Sequence, residues 1–337
     1  VSSFNVIGLF TKRYVFSLVS ALMNRWNSLA SSLPVSGSRQ KMVPSDRTKC
    51  FFIDLQADAY RFFVIELFPL FHQNGFYGWN SSRFFMRVAL KFAYNGKDFS
   101  GYARQPGLRT VEQTVLDMLM RYGILSDARL SCFRTASRTD KGVSALGNVC
   151  AFDTARPQDE IITLLSKDVS EVFIYGASEV PSGFYPRHAK RREYRYYLAK
   201  HGLDVDKMLS VAALFTGQHN FQNFARIEPL KNPVRTLENI VLAEQKDYFV
   251  LDFYAQTFLW NQIRRIVSAL KKVGEGSLSL EDIRGALEHP EKKVDFQVAA
   301  SEPLLLKDVV YDFSFKFVKQ YKKKLVRLEK TIVASLR

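Results

Sequence analysis

Hydrophobic and polar residues repeat with changing periods after residue 85, and each period predicts a type of element. A period of two in RVALKFAY, residues 87–94, predicts a strand. In VEQTVLDMLMRYG, residues 111–123, apolar residues recur at helical spacing after Thr110, a good N-cap residue. The segments CFRTASRTDKG, residues 132–142, and ALGNVCAFDT, residues 145–154, are predicted as strands flanking a turn. The order is therefore strand, helix, strand, strand.

A second succession of strands and helices follows downstream. EYRYYLAK, residues 193–200, is predicted as a strand, and residues 204–217 as an amphipathic helix. Residues 236–255 are predicted as a hairpin and residues 258–274 as a long helix. Strands joined by hairpins, with helices gathered on one side, favour an α+β fold with antiparallel sheets over a doubly wound parallel sheet.

Composition narrows the class of protein. A chain of 337 residues with 47% hydrophobic residues is long enough for two domains with real cores. The cysteines Cys50, Cys132 and Cys150 show no C-x-x-C spacing, which argues against a zinc site and a disulfide scaffold and favours a reducing, cytoplasmic compartment. The sequence lacks a G-x-G-x-x-G motif after a strand and a Walker A motif. We therefore expect no metal and no cofactor.

The net charge of +15 indicates an anionic partner, but its distribution matters more than its sum. Residues 86–315 carry 31 basic and 28 acidic side chains, whereas residues 316–337 carry eight and one. Within the body, residues 185–201 combine six Lys or Arg with four Tyr and a single Glu. Basic groups neutralise phosphates and tyrosines stack on unpaired bases, so the pattern favours RNA, although a solvated strand could look alike.

The first 85 residues differ from the rest of the chain in amino-acid composition and in hydrophobic patterning. They are rich in phenylalanine and contain no acidic residue before Asp46, and clean strand patterning begins abruptly at Met86. An acid-poor leader of this kind also fits a transit peptide, while the apolar run at residues 63–71 is too short to span a bilayer. We interpret residues 1–85 as an extension of doubtful status, upstream sequence translated in error.

The turn Thr139-Asp140-Lys141-Gly142 allows two interpretations. Asp and Gly are common turn residues, so the segment can be an ordinary hairpin corner. An aspartate flanked by an arginine, a lysine and a glycine can also be a reactive carboxylate. The residues alone leave both interpretations open.

Five segments that occur in the same order as in a known family decide between the two interpretations of the turn. SRTDKGV, residues 137–143, resembles the catalytic loop of the tRNA pseudouridine synthase A family. Residues 94–113, 184–198, 217–225 and 258–276 are similar to further motifs of that family. The resemblance covers residues 86–313, and an archaeal-type branch fits best. Ser144, Trp260 and Asn261 stand where the family often has histidine.

The resemblance implies a fold, a reaction and partners. It implies two RRM-like, ferredoxin-like α+β domains, residues 86–187 and 188–315, around a central cleft. The basic tail, residues 316–337, is predicted as a helix from its own pattern of apolar residues near helical spacing with lysines on the other face, which fits either an RNA clamp or a solvated helix. The implied reaction isomerises uridine to pseudouridine in the anticodon stem-loop of tRNA, at about positions 38 to 40, by extruding the base. A homodimer acting on tRNA without a cofactor or a membrane is expected.

The resemblance also assigns residues. Isomerisation breaks the bond from N1 to C1′ and joins C5 to C1′, which needs a carboxylate as nucleophile or as stabiliser of a sugar cation. The resemblance makes Asp140 that carboxylate and places Arg264 beside it. A carboxylate shielded from water needs such a positive neighbour to stay ionised. Tyr194 stacks on the extracted uracil and assists removal of the C5 proton. Arg138 fills the space left by the flipped base.

Further residues are predicted as phosphate contacts, and two other function classes compete. The phosphate contacts are Arg104, Arg187, Lys190 and Arg191. The alternative is a non-catalytic RNA-binding protein or chaperone, which would not need a carboxylate facing phosphates. A metal-dependent nuclease would need clustered acids to hold Mg²⁺, and the sequence near Asp140 has none.

Overall fold

A computed structural model describes residues 85–168 and 171–336. The expectations for the N-terminal extension therefore lie outside the described residues, apart from Phe85. The first half of the described chain folds into four strands and two helices. These are β1 (Met86–Tyr94), α1 (Val111–Arg121), β2 (Arg134–Thr135), β3 (Ser144–Thr154), α2 (Gln158–Leu165) and β4 (Val172–Val180).

The second half adds seven strands and four helices. The order is β5 (Arg191–Ala199), α3 (Val205–Leu214), β6 (Gly217–Asn220), β7 (Val234–Leu237), β8 (Asn239–Glu244), β9 (Tyr248–Ala255), α4 (Gln262–Gly274), α5 (Leu280–Glu288), β10 (Leu304–Val310), β11 (Lys316–Phe317) and α6 (Tyr321–Ala334). None of the helices in the described ranges is long and apolar enough to cross a membrane.

One nine-stranded sheet organises both halves. Its strands follow the order β11-β4-β1-β3-β10-β5-β9-β8, with β2 paired to β3, and β6 and β7 form a separate two-stranded sheet. The strand β10 is parallel to β3 through Leu305 opposite Ser144 and Leu306 opposite Ala145. The other strand pairs of the described chain are antiparallel. The predicted α+β class with mainly antiparallel strands is confirmed.

Two hydrophobic cores lie along this sheet. One contains β1, β3, α1 and α2, and the other contains β9, α3, α4 and α5. The Thr110 hydroxyl accepts a hydrogen bond from the Gln113 amide and caps α1 as the sequence predicts. The predicted domain boundary at residues 187 and 188 falls in the connection between β4 and β5. The two-domain division stays a prediction.

The helix α6 lies on the opposite face of the sheet. Neighbouring residues of a strand point to opposite faces, and Tyr196 belongs to the core that contains α3, α4 and α5. Tyr197 instead joins a third cluster with Leu305 and with Ile332 of α6. Within the basic tail, residues 316 and 317 form β11 and residues 321–334 form α6. The helix α6 packs on the middle of the sheet, on the face opposite α3, α4 and α5.

Candidate active site

The loop that carries Asp140 leaves the sheet after a very short strand. The sequence pattern predicts a strand over residues 132–142, but β2 contains only Arg134 and Thr135. Beyond it, the Ala136 amide donates to the Val149 carbonyl at 2.8 Å, and the Asn148 side chain donates to the Ser137 carbonyl at 3.0 Å. Ala136 and Ser137 are thus joined to β3 by single hydrogen bonds and not by a regular strand ladder. The residues that follow them, including Asp140, form a loop. The strand prediction is wrong for this part.

The backbone around Asp140 is fixed from several sides. The Thr139 carbonyl accepts a hydrogen bond from the Tyr102 amide at 3.1 Å, and its hydroxyl lies 2.8 Å from the Tyr94 hydroxyl. The Val143 amide donates to the Asp140 carbonyl at 3.2 Å. Gly142 has a φ of +85°, a conformation that suits glycine. The loop therefore presents the Asp140 side chain on a held backbone.

Gly96 lies against the end of this loop. A Cβ atom at Gly96 would lie 2.4 Å from the carbonyl carbon and oxygen of Val143. The Gly96 amide donates to the Ser144 hydroxyl at 2.9 Å. Ser144, one of the departures from the family pattern, thus has a structural contact in this chain.

Gly96→Ala is expected to displace the Asp140 loop. Its new methyl group meets backbone atoms, which cannot rotate away, so we expect a loss of about 1–3 kcal/mol in the free energy of unfolding. A shift of the loop by about 1 Å would lower kcat on the order of 10²-fold. Urea unfolding and initial rates check both values. Gly183→Ala is the control, because a Cβ there meets nothing within 4 Å; equal behaviour of the two variants would contradict the expectation.

Arg264 joins Asp140 from the other half of the chain. Its Nη1 lies 3.2 Å from Asp140 Oδ2 and 3.3 Å from Asn261 Oδ1, and its Nε donates to the Ala299 carbonyl at 2.7 Å. The Arg264 side chain is 17% exposed and that of Asp140 is 36% exposed. The guanidinium is thus fixed by backbone and amide oxygens while the carboxylate keeps an open side.

Tyr194 lies on the same side of the sheet as this ion pair. Its ring is half-buried and meets the Phe258 ring edge-on, with centroids 5.2 Å apart. Burial raises the pKa of the Tyr194 phenol; Arg192 lowers it in part, and the charge of Asp140 raises it. The hydroxyl therefore stays protonated at neutral pH. A role as proton acceptor for the C5 proton would need another group to take up the phenol's own proton.

Arg192 is a site residue that the sequence reasoning missed. The buried guanidinium donates to the Ser137 hydroxyl at 3.0 Å and to the Ala136 carbonyl at 2.9 Å. It also donates to the Arg187 carbonyl at 3.0 Å. Burial lowers the pKa of Arg192. Arg192 ties β5 to the Asp140 loop, and its position two residues before Tyr194, on the same strand face, was the available signal.

The other predicted RNA contacts lie apart from Asp140 or point outwards. Arg191 belongs to the strand face opposite Tyr194, and its Nη2 lies 2.7 Å from Glu193 Oε1. Arg104 Nε lies 4.0 Å from Glu112 Oε2, and Lys190 pairs with Asp312. The exposed side chains are Arg138, Arg104, Arg187 and Lys190. The roles of Arg104, Arg187, Lys190 and Arg191 as phosphate contacts stay predictions, as does the role of Arg138 in filling the space left by the flipped base.

Trp260 and Asn261, which the resemblance places where the family often has histidine, both make contacts in this chain. Trp260 is 42% exposed, and the Arg226 guanidinium lies over its ring, 4.1 Å from the centroid. The Arg226 amide donates to the Trp260 carbonyl at 2.8 Å. Asn261 adopts a φ of +61° at the start of α4 and contacts Arg264.

Comparison with known proteins assigns the chain to a family. A family model described as tRNA pseudouridine synthase matches residues 211–312. A protein of Thermococcus sibiricus named tRNA pseudouridine synthase A is 43% identical over 230 residues, which are 67% of this chain and 85% of the relative. The chain belongs to the tRNA pseudouridine synthase A family. A family member from Pyrococcus abyssi is 42% identical over 229 residues, again 67% of this chain and 85% of the relative.

Other comparisons are weaker. A tRNA pseudouridine synthase A of Methanobrevibacter smithii is 36% identical over 252 residues, 69% of this chain and 85% of the relative. A solved structure described as a Cbf5-Nop10-Gar1 complex covers 55% of this chain and 45% of its own chain at 15% identity, and its TM-score of 0.30 is too low to carry an argument. Within residues 85–168 and 171–336, no group of three or more His, Cys, Asp or Glu could hold a metal ion.

Proposed function

We propose that the chain isomerises uridine to pseudouridine in tRNA, with Asp140 as the nucleophile. The contact of 3.2 Å between Asp140 and Arg264 carries this proposal, because it combines a partly open carboxylate with a fixed positive charge. The family and the names of its members support an isomerase that acts on tRNA.

The chemistry needs few groups. The carboxylate of Asp140 attacks C1′ or stabilises a positive charge there while the bond from N1 to C1′ breaks. The uracil then turns within the site, and C5 bonds to C1′ while the carboxylate of Asp140 is released. C5 loses its proton and N1 gains one, so the product is an isomer and no redox change occurs. Tyr194 provides an aromatic face for the extracted base, and the exposed Arg138 fills the gap that the base leaves in the RNA. Arg192 positions the loop and does not touch the base.

The target and the assembly follow from the family resemblance. We propose that the target uridines lie in the anticodon stem-loop, at about positions 38 to 40, where an extruded base reaches the cleft. The active unit is a homodimer in which one tRNA contacts both chains, so phosphate contacts from two subunits add. The enzyme works in the cytoplasm. The target and the assembly rest on the resemblance, and the compartment rests on the spacing of the cysteines.

A direct conversion assay tests the function. Unmodified tRNA transcripts incubated with the protein are mapped for pseudouridine by reverse-transcription stops after carbodiimide treatment. We expect complete conversion at defined uridines, unchanged by excess EDTA, because the proposed chemistry uses only side chains of this chain. Binding of tRNA without conversion would instead support the non-catalytic RNA-binding alternative. Activity that EDTA abolishes and a divalent ion restores, with the tRNA fold intact, would overturn the metal-free mechanism.

A further inference from the structure

The helix α6 separates its charges between its two sides. It contains five basic residues and one acidic residue, Glu329. Glu329 points towards the sheet, where its Oε1 accepts hydrogen bonds from Tyr197 at 2.6 Å and from Arg195 at 3.1 Å. Glu329 therefore pairs with Arg195 of β5. The basic residues of α6 are left without an acidic partner on their own helix.

Four of these basic residues form an exposed surface, which we call the α6 basic face. They are Lys322, Lys323, Arg327 and Lys330. Within the described chain none of them is ion-paired. Lys323 and Arg327 are four residues apart and Arg327 and Lys330 three apart, so these pairs repel each other on the helix surface. A bound polyanion would relieve that repulsion.

The apolar side of α6 is already used. Leu325, Leu328 and Ile332 pack against Leu146, Tyr197 and other residues of the third cluster. At the start of the helix the Tyr321 ring stacks on Tyr175, with centroids 5.3 Å apart and nearly parallel planes. Val326 is the one large apolar side chain that α6 exposes, which is too little to enter a bilayer, so this basic helix is unsuited to lying in a membrane surface. Its chemistry fits the phosphates of a nucleic acid.

The end of α6 lies behind the Asp140 loop. Lys97 Nζ donates to the Ser335 carbonyl at 2.8 Å, and the neighbouring Gly96 packs on the backbone of Val143. Leu305, which joins the same cluster as Ile332, pairs with Ser144 at the point where the loop enters β3. The Asp140 loop enters β3 at one end of the sheet. An RNA strand that leaves the Asp140 site around this end would pass the exposed Lys141 and reach α6.

We propose that the α6 basic face binds the phosphate backbone of the substrate tRNA outside the stem-loop that carries the target uridine. The proposal rests on the proposed function, because it assigns a second contact area to the same substrate. Phosphate contacts add affinity without reading sequence. The α6 basic face thus helps the enzyme hold whole tRNA molecules in preference to isolated stem-loops.

Charge reversal on α6 tests the proposal. The variant Lys323→Glu/Arg327→Glu is compared with the control Lys246→Glu/Lys293→Glu, which changes the charge equally at exposed positions outside α6. Kinetics are measured on whole tRNA and on the isolated stem-loop at several salt concentrations. On whole tRNA we expect the α6 variant to raise KM about tenfold with kcat unchanged, and to reduce the salt dependence of binding by about two phosphate contacts. On the stem-loop its KM should equal that of the wild type.

Each other outcome has a defined meaning. An unchanged KM on whole tRNA, or the same rise with the control variant, overturns the proposal. An equal rise on both substrates places the contact within the stem-loop and also overturns it. Binding of the wild type to anionic lipid vesicles, lost in the α6 variant while tRNA kinetics stay unchanged, would favour a membrane instead. If the wild type converts neither substrate, the proposed function fails, and filter binding of tRNA to both variants still tests the α6 contact.

Discussion

Asp140→Asn is expected to abolish isomerisation while tRNA binding stays nearly unchanged. The amide has the size of the carboxylate and leaves the turn bond from the Val143 amide to the residue 140 carbonyl in place. It cannot act as a nucleophile or balance a positive charge on the sugar, so kcat should fall on the order of 10⁴-fold or more. Single-turnover conversion and filter binding measure the two effects. Binding survives because loss of a negative charge does not weaken attraction to phosphates.

The control for this substitution is Asp98→Asn. Asp98 is an exposed aspartate in the turn that follows β1, close in sequence to Gly96. Its replacement causes the same change in net charge near the loop, and we expect activity near that of the wild type. Turnover by Asp140→Asn at close to the wild-type rate would end the proposed role of Asp140.

Arg264→Ala should lower kcat on the order of 10²- to 10³-fold with little change in KM, because one charged donor is removed from the reacting group. The Asp140 carboxylate loses the cation 3.2 Å away, and the Ala299 carbonyl loses its donor. Steady-state kinetics on tRNA check the split between kcat and KM. A variant that changes only KM would show that Arg264 serves binding.

Two neighbouring variants separate charge from structure. Arg264→Lys keeps the positive charge but loses the planar fork that contacts Asp140, Asn261 and the Ala299 carbonyl at once, so intermediate activity is expected. Arg265→Ala removes the next guanidinium of α4, which lies 2.8 Å from the exposed Asp295 and not against Asp140, and should leave kcat unchanged. Identical losses in the alanine and lysine variants of Arg264 would mean that charge alone does not explain its effect.

Regular elements could be predicted from the sequence because their patterns are local. The predicted helix at residues 204–217 corresponds to α3, and the predicted hairpin at residues 236–255 corresponds to β8 and β9. The long helix predicted from residue 258 begins at Gln262, because Asn261 adopts a left-handed conformation there. Local periodicity does not report such a backbone reversal.

The geometry of the site depended on contacts between distant residues. The resemblance indicated that Asp140 and Arg264 belong together, and the structure brings them into contact. Arg192 was not predicted because the net charge of residues 185–201 does not show which of its arginines shares a strand face with Tyr194. The strand β10, between β3 and β5, was also missed. Its position could not be read from residues 304–310, because insertion between strands is a property of the complete sheet.

The position of β10 has a consequence for synthesis of the chain on the ribosome. Asp140 lies in the loop that enters β3, and Arg264 lies in α4, which shares a core with β9. The strand β10 lies between β3 and β5 and is made after both residues. Until residues 304–310 have left the ribosome, the two flanks of the sheet have no common strand, and domains fold in the order of their synthesis. The nascent polypeptide therefore cannot complete this ion pair before β10 is made, and only a chain that includes residues 304–310 can act on RNA.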